Sequence, residues 1–272
     1  MSKARFIVKV QASNLRAEVW VNKIPVCMFR PGESLSPMAL PVNQFLVNGR
    51  NTIGVVLHAG DVPSKASEDW SNDEGTSAYS GPATLRLTLA EYDDEQTNPM
   101  YTPAPLATLD WQGDACSRPA YIEKEFSLLR EIGPWAWERA KAFRTIDPTL
   151  RTQVLEYVRG LHELLVAGDF NGYLSESAKK LEELTTRAYG VSAEYMRNNM
   201  LRALKVHSEP PYCLRALNFQ EADLRLVAEG RMVECLRTDR GYVLEYRQAR
   251  KPGTFFLPLM IGQIDNCWRI LR

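Results

Sequence analysis

The stretch Glu18-Val19-Trp20-Val21-Asn22-Lys23-Ile24-Pro25-Val26 decides how the first half of this chain is read. Val19 and Val21 alternate with Glu18 and Trp20, the two-residue rhythm of a half-buried strand. Asn22-Lys23 then separates Trp20-Val21 from Ile24-Pro25-Val26, a connection suited to a hairpin in which Asn22 takes positive φ. Towards the N-terminus, Phe6, Val8 and Val10 alternate with Arg5, Ile7 and Lys9. Towards the C-terminus, Leu40-Pro41-Val42 and Phe45-Leu46-Val47 lead to Asn48-Gly49, a strong turn dipeptide, and 52–57 reads as a strand again. Residues 60–82 are polar and turn-rich and read as a long loop. Strands resume at 83–91, with Leu85, Leu87 and Leu89 on one face, at 106–111 and at 120–128. Short strands at such intervals predict an all-β sandwich over 1–130.

Beyond that point the period changes. Residues 131–145, with Trp135, Trp137, Ala140 and Phe143, predict a short amphipathic helix. Asp147-Pro148 is an N-cap followed by N1, and Leu150, Val154, Tyr157, Val158, Leu161 and Leu165 recur at helical spacing until Gly168. A second helix is expected over 173–188 with Gly190 as its stop, and a third from Ser192 to about Leu204. From Leu214 the rhythm returns to two, through turns at Glu229-Gly230, Thr238-Asp239-Arg240-Gly241, Lys251-Pro252-Gly253 and Asp265-Asn266. This predicts a meander whose longest strand is 254–263, and hence an α+β domain over 131–272 with helices packed on a curved antiparallel sheet.

Composition narrows the function classes. A chain of 272 residues with 45% hydrophobic and 24% charged residues is ordinary globular material for two domains. No run approaches the roughly 18 apolar residues that cross a bilayer, and Lys3, Arg5 and Lys9 interrupt any secretory h-region, so a cytoplasmic location is expected. Cys27, Cys116, Cys213, Cys235 and Cys267 are odd in number and scattered, which suggests reduced core thiols rather than a disulfide framework or zinc knuckle. Basic and acidic residues number 12 and 15 in 1–130, then 21 and 18 in 131–272, too even to favour nucleic acid or an anionic membrane.

Two resemblances emerge from these segments. The phrase 18–26, followed by Leu46-Val47-Asn48-Gly49-Arg50-Asn51-Thr52-Ile53-Gly54-Val55, resembles the galactose-binding-like jelly roll, with Lys23 where such domains usually carry glycine. The resemblance implies a sandwich that serves as sugar binder, spacer or protein-docking module. The helix ending in Ala167-Gly168-Asp169-Phe170, together with Ile264-Asp265-Asn266-Cys267-Trp268-Arg269-Ile270-Leu271, resembles the nuclear-transport-factor-2-like family, the SnoaL-like or cystatin-like cone. That family implies a pocket between sheet and helices, used by some members as an isomerase, dehydratase or cyclase site and by others only for protein binding or dimerisation. A homodimer through the C-terminal sheet is one such implication. Extra helical length between Ser175 and Val206 departs from the pattern and would cover the pocket.

Chemistry in the residues themselves is sparse. A nucleophile elbow, a phosphate loop, a dinucleotide fingerprint and H-E-x-x-H are all missing from the sequence. His58, His162 and His207 have no carboxylate or second histidine at ligand spacing, so neither a metal nor a catalytic residue is assigned, and no cofactor is implied. His162 reads as solvated. Asp223, Glu234 and Glu245 read as cross-strand partners of Arg225 or Arg247 on an exposed sheet face. Tyr157, Tyr173, Tyr242 and Tyr246 either line a pocket or fill the core with their hydroxyls at its rim. Asp69, Trp70, Asn72 and Asp73 combine an aromatic platform with acidic and amide groups, suited to a sugar face, calcium or a protein hot spot. The resulting expectation is a non-catalytic binding protein with a protein partner, secretion-associated or toxin-neutralising. A small-molecule pocket in the cone and glycan binding by the sandwich are the alternatives.

Overall fold

A computed structural model describes residues 5–29, 38–58, 82–92, 103–114, 120–130, 132–239, 241–248 and 254–272. Contacts divide the chain into two compact units, Met1–Pro134 and Trp135–Arg272. The loop residues Asp69, Trp70, Asn72 and Asp73 lie outside the described residues.

Eight strands make up the described part of the first unit: β1 (Arg5–Ser13), β2 (Arg16–Val21), β3 (Ile24–Phe29), β4 (Met38–Pro41), β5 (Gly49–His58), β6 (Pro82–Tyr92), β7 (Pro105–Asp114) and β8 (Ala120–Leu128). They pair antiparallel in two four-stranded sheets, β4-β1-β6-β7 and β3-β2-β5-β8. One hydrophobic core serves both, with Phe6, Val8, Leu85 and Leu87 from the first sheet meeting Val19, Val21, Ile53 and Val55 from the second. Alternation therefore places these side chains inward, as the two-residue period requires.

The hairpin at Asn22-Lys23 forms as the sequence predicts, with φ of 50° and 59°, the left-handed pair of a type I′ turn. Lys23 takes the position where glycine would be easier, and its ammonium is ion-paired with Glu123 and lies 3.0 Å from Tyr121 Oη. Asn22 and Asn51 tie this turn to the next. Asn22 Nδ2 donates to Asn51 Oδ1 at 2.8 Å, while Asn51 Nδ2 donates to the carbonyls of Val47 at 2.8 Å and Gly49 at 2.9 Å. One expectation needs correcting: Glu18 and Trp20 are only 2% and 3% exposed, so β2 is buried on both faces rather than half-buried.

In the second unit, α1 (Pro148–Val166) opens as expected, with Asp147 Oδ1 accepting the Leu150 N–H at 2.7 Å. The single helix expected over 173–188 is instead α2 (Phe170–Glu176), α3 (Ala178–Glu183) and a π-helical turn, Leu184–Tyr189. Ser177, at φ −95° and ψ 4°, breaks it. Gly190 ends the segment at φ 64°, and α4 (Ala193–Ser208) follows from the Ser192 cap.

Among the described residues of 131–145, no helix forms beyond a 3-10 turn, Ala136–Arg139. Trp135, Ala136 and Trp137 are consecutive and all buried, a pattern that a one-faced helix cannot satisfy. Their neighbours bond outward, Lys141 N–H to the Gln263 carbonyl and Phe143 N–H to the Gly230 carbonyl, both at 2.9 Å. Gly230 is required there, since a Cβ would fall 2.0 Å from the Phe143 carbonyl oxygen.

The meander is likewise split. Strands β9 (Tyr212–Leu214), β10 (Ala222–Val227), β11 (Met232–Arg237), β12 (Glu245–Gln248), β13 (Thr254–Phe256), β14 (Met260–Ile264) and β15 (Cys267–Ile270) form two antiparallel sheets, β10-β11-β14-β15 and β13-β12-β9. The strand expected over 254–263 breaks because Pro258 has no N–H to give a ladder, and its two halves join different sheets. A single core joins Leu150, Val154, Leu161 and Leu165 of α1 to Val233, Cys235, Ile261 and Ile270 of the sheet. Among the described residues Cys27, Cys213, Cys235 and Cys267 are free thiols, of which Cys213 and Cys267 are exposed rather than in the core, and Cys116 lies outside the described residues.

Candidate functional site

Tyr157 on α1, Tyr173 on α2 and Tyr246 on β12 are brought together in the core of the second unit. Tyr157 Oη donates to Glu176 Oε2 at 2.8 Å, and Arg269 Nη1 donates to the same oxygen at 3.1 Å. Burial first, and the Glu176 carboxylate second, push the Tyr157 phenol above its ordinary range. Tyr173 is raised by burial and by its neighbour Tyr246, and burial pushes Tyr246 up to about 12. All three are therefore neutral phenols at physiological pH, able to donate hydrogen bonds but poorly suited to remove a proton. Tyr246 is 1% exposed and its hydroxyl has no hydrogen-bond partner among the described residues; buried Gln263 Oε1 is in the same position.

His162 and His207 make contacts within the second unit. His162 Nε2 lies 3.0 Å from the Arg215 carbonyl oxygen, so it is half-buried rather than solvated. The His207 ring stacks on Phe255 at 4.3 Å and meets the edge of Tyr212 at 4.6 Å. Glu234 and Glu245 form ion pairs as expected, but inside the unit. Arg225 and Glu234 stand directly opposite on β10 and β11 and are ion-paired, with side chains 2% and 9% exposed. Glu245 accepts from Arg215 at 3.3 Å, from Arg247 at 2.6 Å and from Arg237. Among the described residues, no group of three His, Cys, Asp or Glu side chains can hold a metal ion, and no helix is long and apolar enough to cross a membrane.

A site that sequence reasoning passed over lies on the outer face of the first sheet. Where Leu85, Leu87 and Leu89 of β6 face the core, Thr84, Arg86 and Thr88 face outward, and the neighbouring strands follow in register. Gln11, Arg86 and Asp110 stand in one straight row across β1, β6 and β7, and Ser13, Thr84 and Gln112 in the next. Strands about 4.8 Å apart and rows about 7 Å apart give these six side chains a footprint of roughly 10 by 7 Å. Five of them, Gln11, Thr84, Arg86, Asp110 and Gln112, line an open groove of about 560 Å³ together with Leu85 and Trp111. Arg86 Nε donates to Asp110 Oδ1 at 2.5 Å, and both side chains remain more than half exposed. Further along the same face, Lys9 Nζ sits 5.1 Å over the Tyr92 ring and Leu106 is exposed. The signal for this face was present in Thr84-Leu85-Arg86-Leu87-Thr88-Leu89. It marked a strand, but only the register shows which outward residues of three strands become neighbours.

Comparison with protein-family models, with curated proteins and with solved structures returned no match.

Proposed function

We propose that this chain is a non-catalytic, cytoplasmic binding protein, a jelly-roll sandwich followed by a cone, that recognises a protein partner through the outer face of its first sheet. The open groove beside Arg86 and Asp110 carries this reading. It offers amides, hydroxyls and a charged pair on a rigid ladder, with Tyr92 and Leu106 further along the same face. Arginine and tyrosine are enriched where partners dock, and a rigid sheet holds them with little ordering cost. A photo-cross-linker placed at Gln112 in the native cell should capture one stoichiometric protein, and Arg86→Ala should abolish that capture. Capture that survives Arg86→Ala, or binding of a glycan panel without any protein, would overturn the reading.

A second reading rests on the partnerless Tyr246 hydroxyl next to Tyr173. A buried hydroxyl left unsatisfied costs about 1–3 kcal/mol, so a small polar ligand entering the cone would gain by meeting it. Tyr246→Phe should then stabilise the ligand-free chain and weaken any small-molecule ligand found by thermal-shift screening. No change in either quantity removes the reading.

A further inference from the structure

The two sheets of the first unit end on the edge strands β4, β7, β3 and β8, and three of these edges are blunted. β4 has only four residues and ends on Pro41. β3 carries Pro25 beside the register shift at Val19/Trp20. β8 sets exposed Lys124 opposite Ile53, a core side chain, and so carries a charge on the core-facing side of its edge. Shortness, proline, bulges and inward-pointing charges are the devices that stop one sheet edge from pairing with another. β7 has ten residues and, among the described residues, pairs with β6 alone. Its proline and the register shift at Leu89/Ala90 both fall at its first residue, Pro105, which leaves 106–113 regular.

That edge is self-complementary in one register. A two-fold axis perpendicular to the sheet at Leu109 pairs 105–113 of one copy with 113–105 of the other, and each contact then occurs twice. On the core-facing side, small Ala107 stands opposite the half-buried Trp111 of the second copy. On the outer side, the Thr108 hydroxyl stands opposite the exposed Asp110 carboxylate, and exposed Leu106 opposite the stem of Gln112. Other axes fit worse. At Asp110 two carboxylates would face each other, at Thr108 Leu106 would meet Asp110, and at Trp111 two indoles would collide over a shorter ladder. Pro105 has no N–H to give and falls at the end of the ladder, where a strand tolerates it. Arg86 offsets the Asp110 charge, and a chain of zero formal net charge adds no long-range repulsion.

We propose that this chain pairs with a second copy of itself through β7, joining two first sheets into one antiparallel sheet in the order β4-β1-β6-β7-β7-β6-β1-β4. The unpaired N–H and C=O groups of the two edges satisfy one another, and the match of Thr108 to Asp110 and of Ala107 to Trp111 sets the register. This interface is the strand edge, not the outer face, and does not rest on the groove reading. Gln112 borders both, and the mass of a cross-linked product tells a second copy from a different protein.

Sedimentation of the full chain across a dilution series should show a reversible monomer–dimer equilibrium, and hydrogen exchange of amides within 105–113 should slow as the dimer fills. Thr108→Asp sets a second carboxylate against Asp110 at both ends of the two-fold and should weaken the dimer at least about tenfold. Thr108→Lys, at the same half-buried outward position, sets an ammonium there and should leave the dimer at least as tight. A wild-type chain that stays monomeric, alone or carrying another polypeptide on β7, overturns the proposal, as does exchange in 105–113 that ignores concentration. A dimer that survives Thr108→Asp is held elsewhere, the sheets of the second unit included, and equal loss with aspartate and lysine rejects the register; either result overturns it too.

Discussion

The two units keep their interiors by different means. The core shared by the sheets of the first unit is built from aliphatic and aromatic side chains such as Val8, Val19, Ile53 and Leu87. Amides such as Asn51 are buried beside turns, where they satisfy backbone carbonyls. The second unit encloses Arg225 with Glu234, Arg237 with Glu245 and Arg272 with Glu183. Strand burial explains the contrast. On β6 the alternating residues Thr84 and Arg86 are exposed, whereas all six residues of β11 are buried. A strand covered on both sides takes its charged residues out of water, and each then requires a partner.

The largest effect should come from breaking one of those enclosed pairs. Glu245→Ala leaves Arg215, Arg237 and Arg247 without their shared acceptor and should cost about 3–5 kcal/mol in denaturant unfolding of the second unit. A loss well under 1 kcal/mol would mean that the network is not enclosed as described. Its counterpart in the first unit is Leu87→Ala, where deletion of a fully buried side chain should cost about 2–5 kcal/mol through a cavity. That loss should be the same at acid and neutral pH, because no charge is involved; a pH-dependent loss would erase the contrast between the two interiors.

A smaller effect is expected at the start of α1. Asp147→Ala removes the acceptor for the Leu150 N–H and should lower stability by about 1 kcal/mol, with Asp147→Asn restoring most of it. Circular dichroism melts of the three proteins would show whether the cap or only the negative charge matters. A pH-resolved effect concerns Lys180. Its folded-state value is lowered to about 8, so between that pH and the ordinary lysine value the unfolded chain binds more protons than the folded one. Stability should therefore rise with pH across that window. Lys180→Met should remove the rise and stabilise the chain near neutral pH, which urea midpoints at neutral and alkaline pH would measure.

How far the sequence could be read depended on whether a residue's neighbours were local. The hairpin at Asn22-Lys23, the Asp147 cap and the Gly190 stop were legible because each is settled within a few residues. The helix expected around Trp135 and Trp137 was not, because those side chains are buried on all sides and their flanking N–H groups bond to Gln263 and Gly230, about 90 residues or more away. Ion pairing of Glu234 and Glu245 was foreseen, yet its burial was not, since a two-residue period cannot say whether the second face of a strand is wet. The tyrosines Tyr157, Tyr173 and Tyr246 were named from sequence and do converge, whereas the row Gln11, Arg86 and Asp110 went unseen.

By itself, the sequence determined the period of each segment, its local turns and caps, and the change from strands to helices and back, because these are set by backbone sterics and by contacts within a turn or two. Only the tertiary structure decided which outward side chains share the groove and which carboxylate each arginine holds. Those outcomes depend on register and on partners distant in the chain, and neither leaves a mark in local side-chain rhythm.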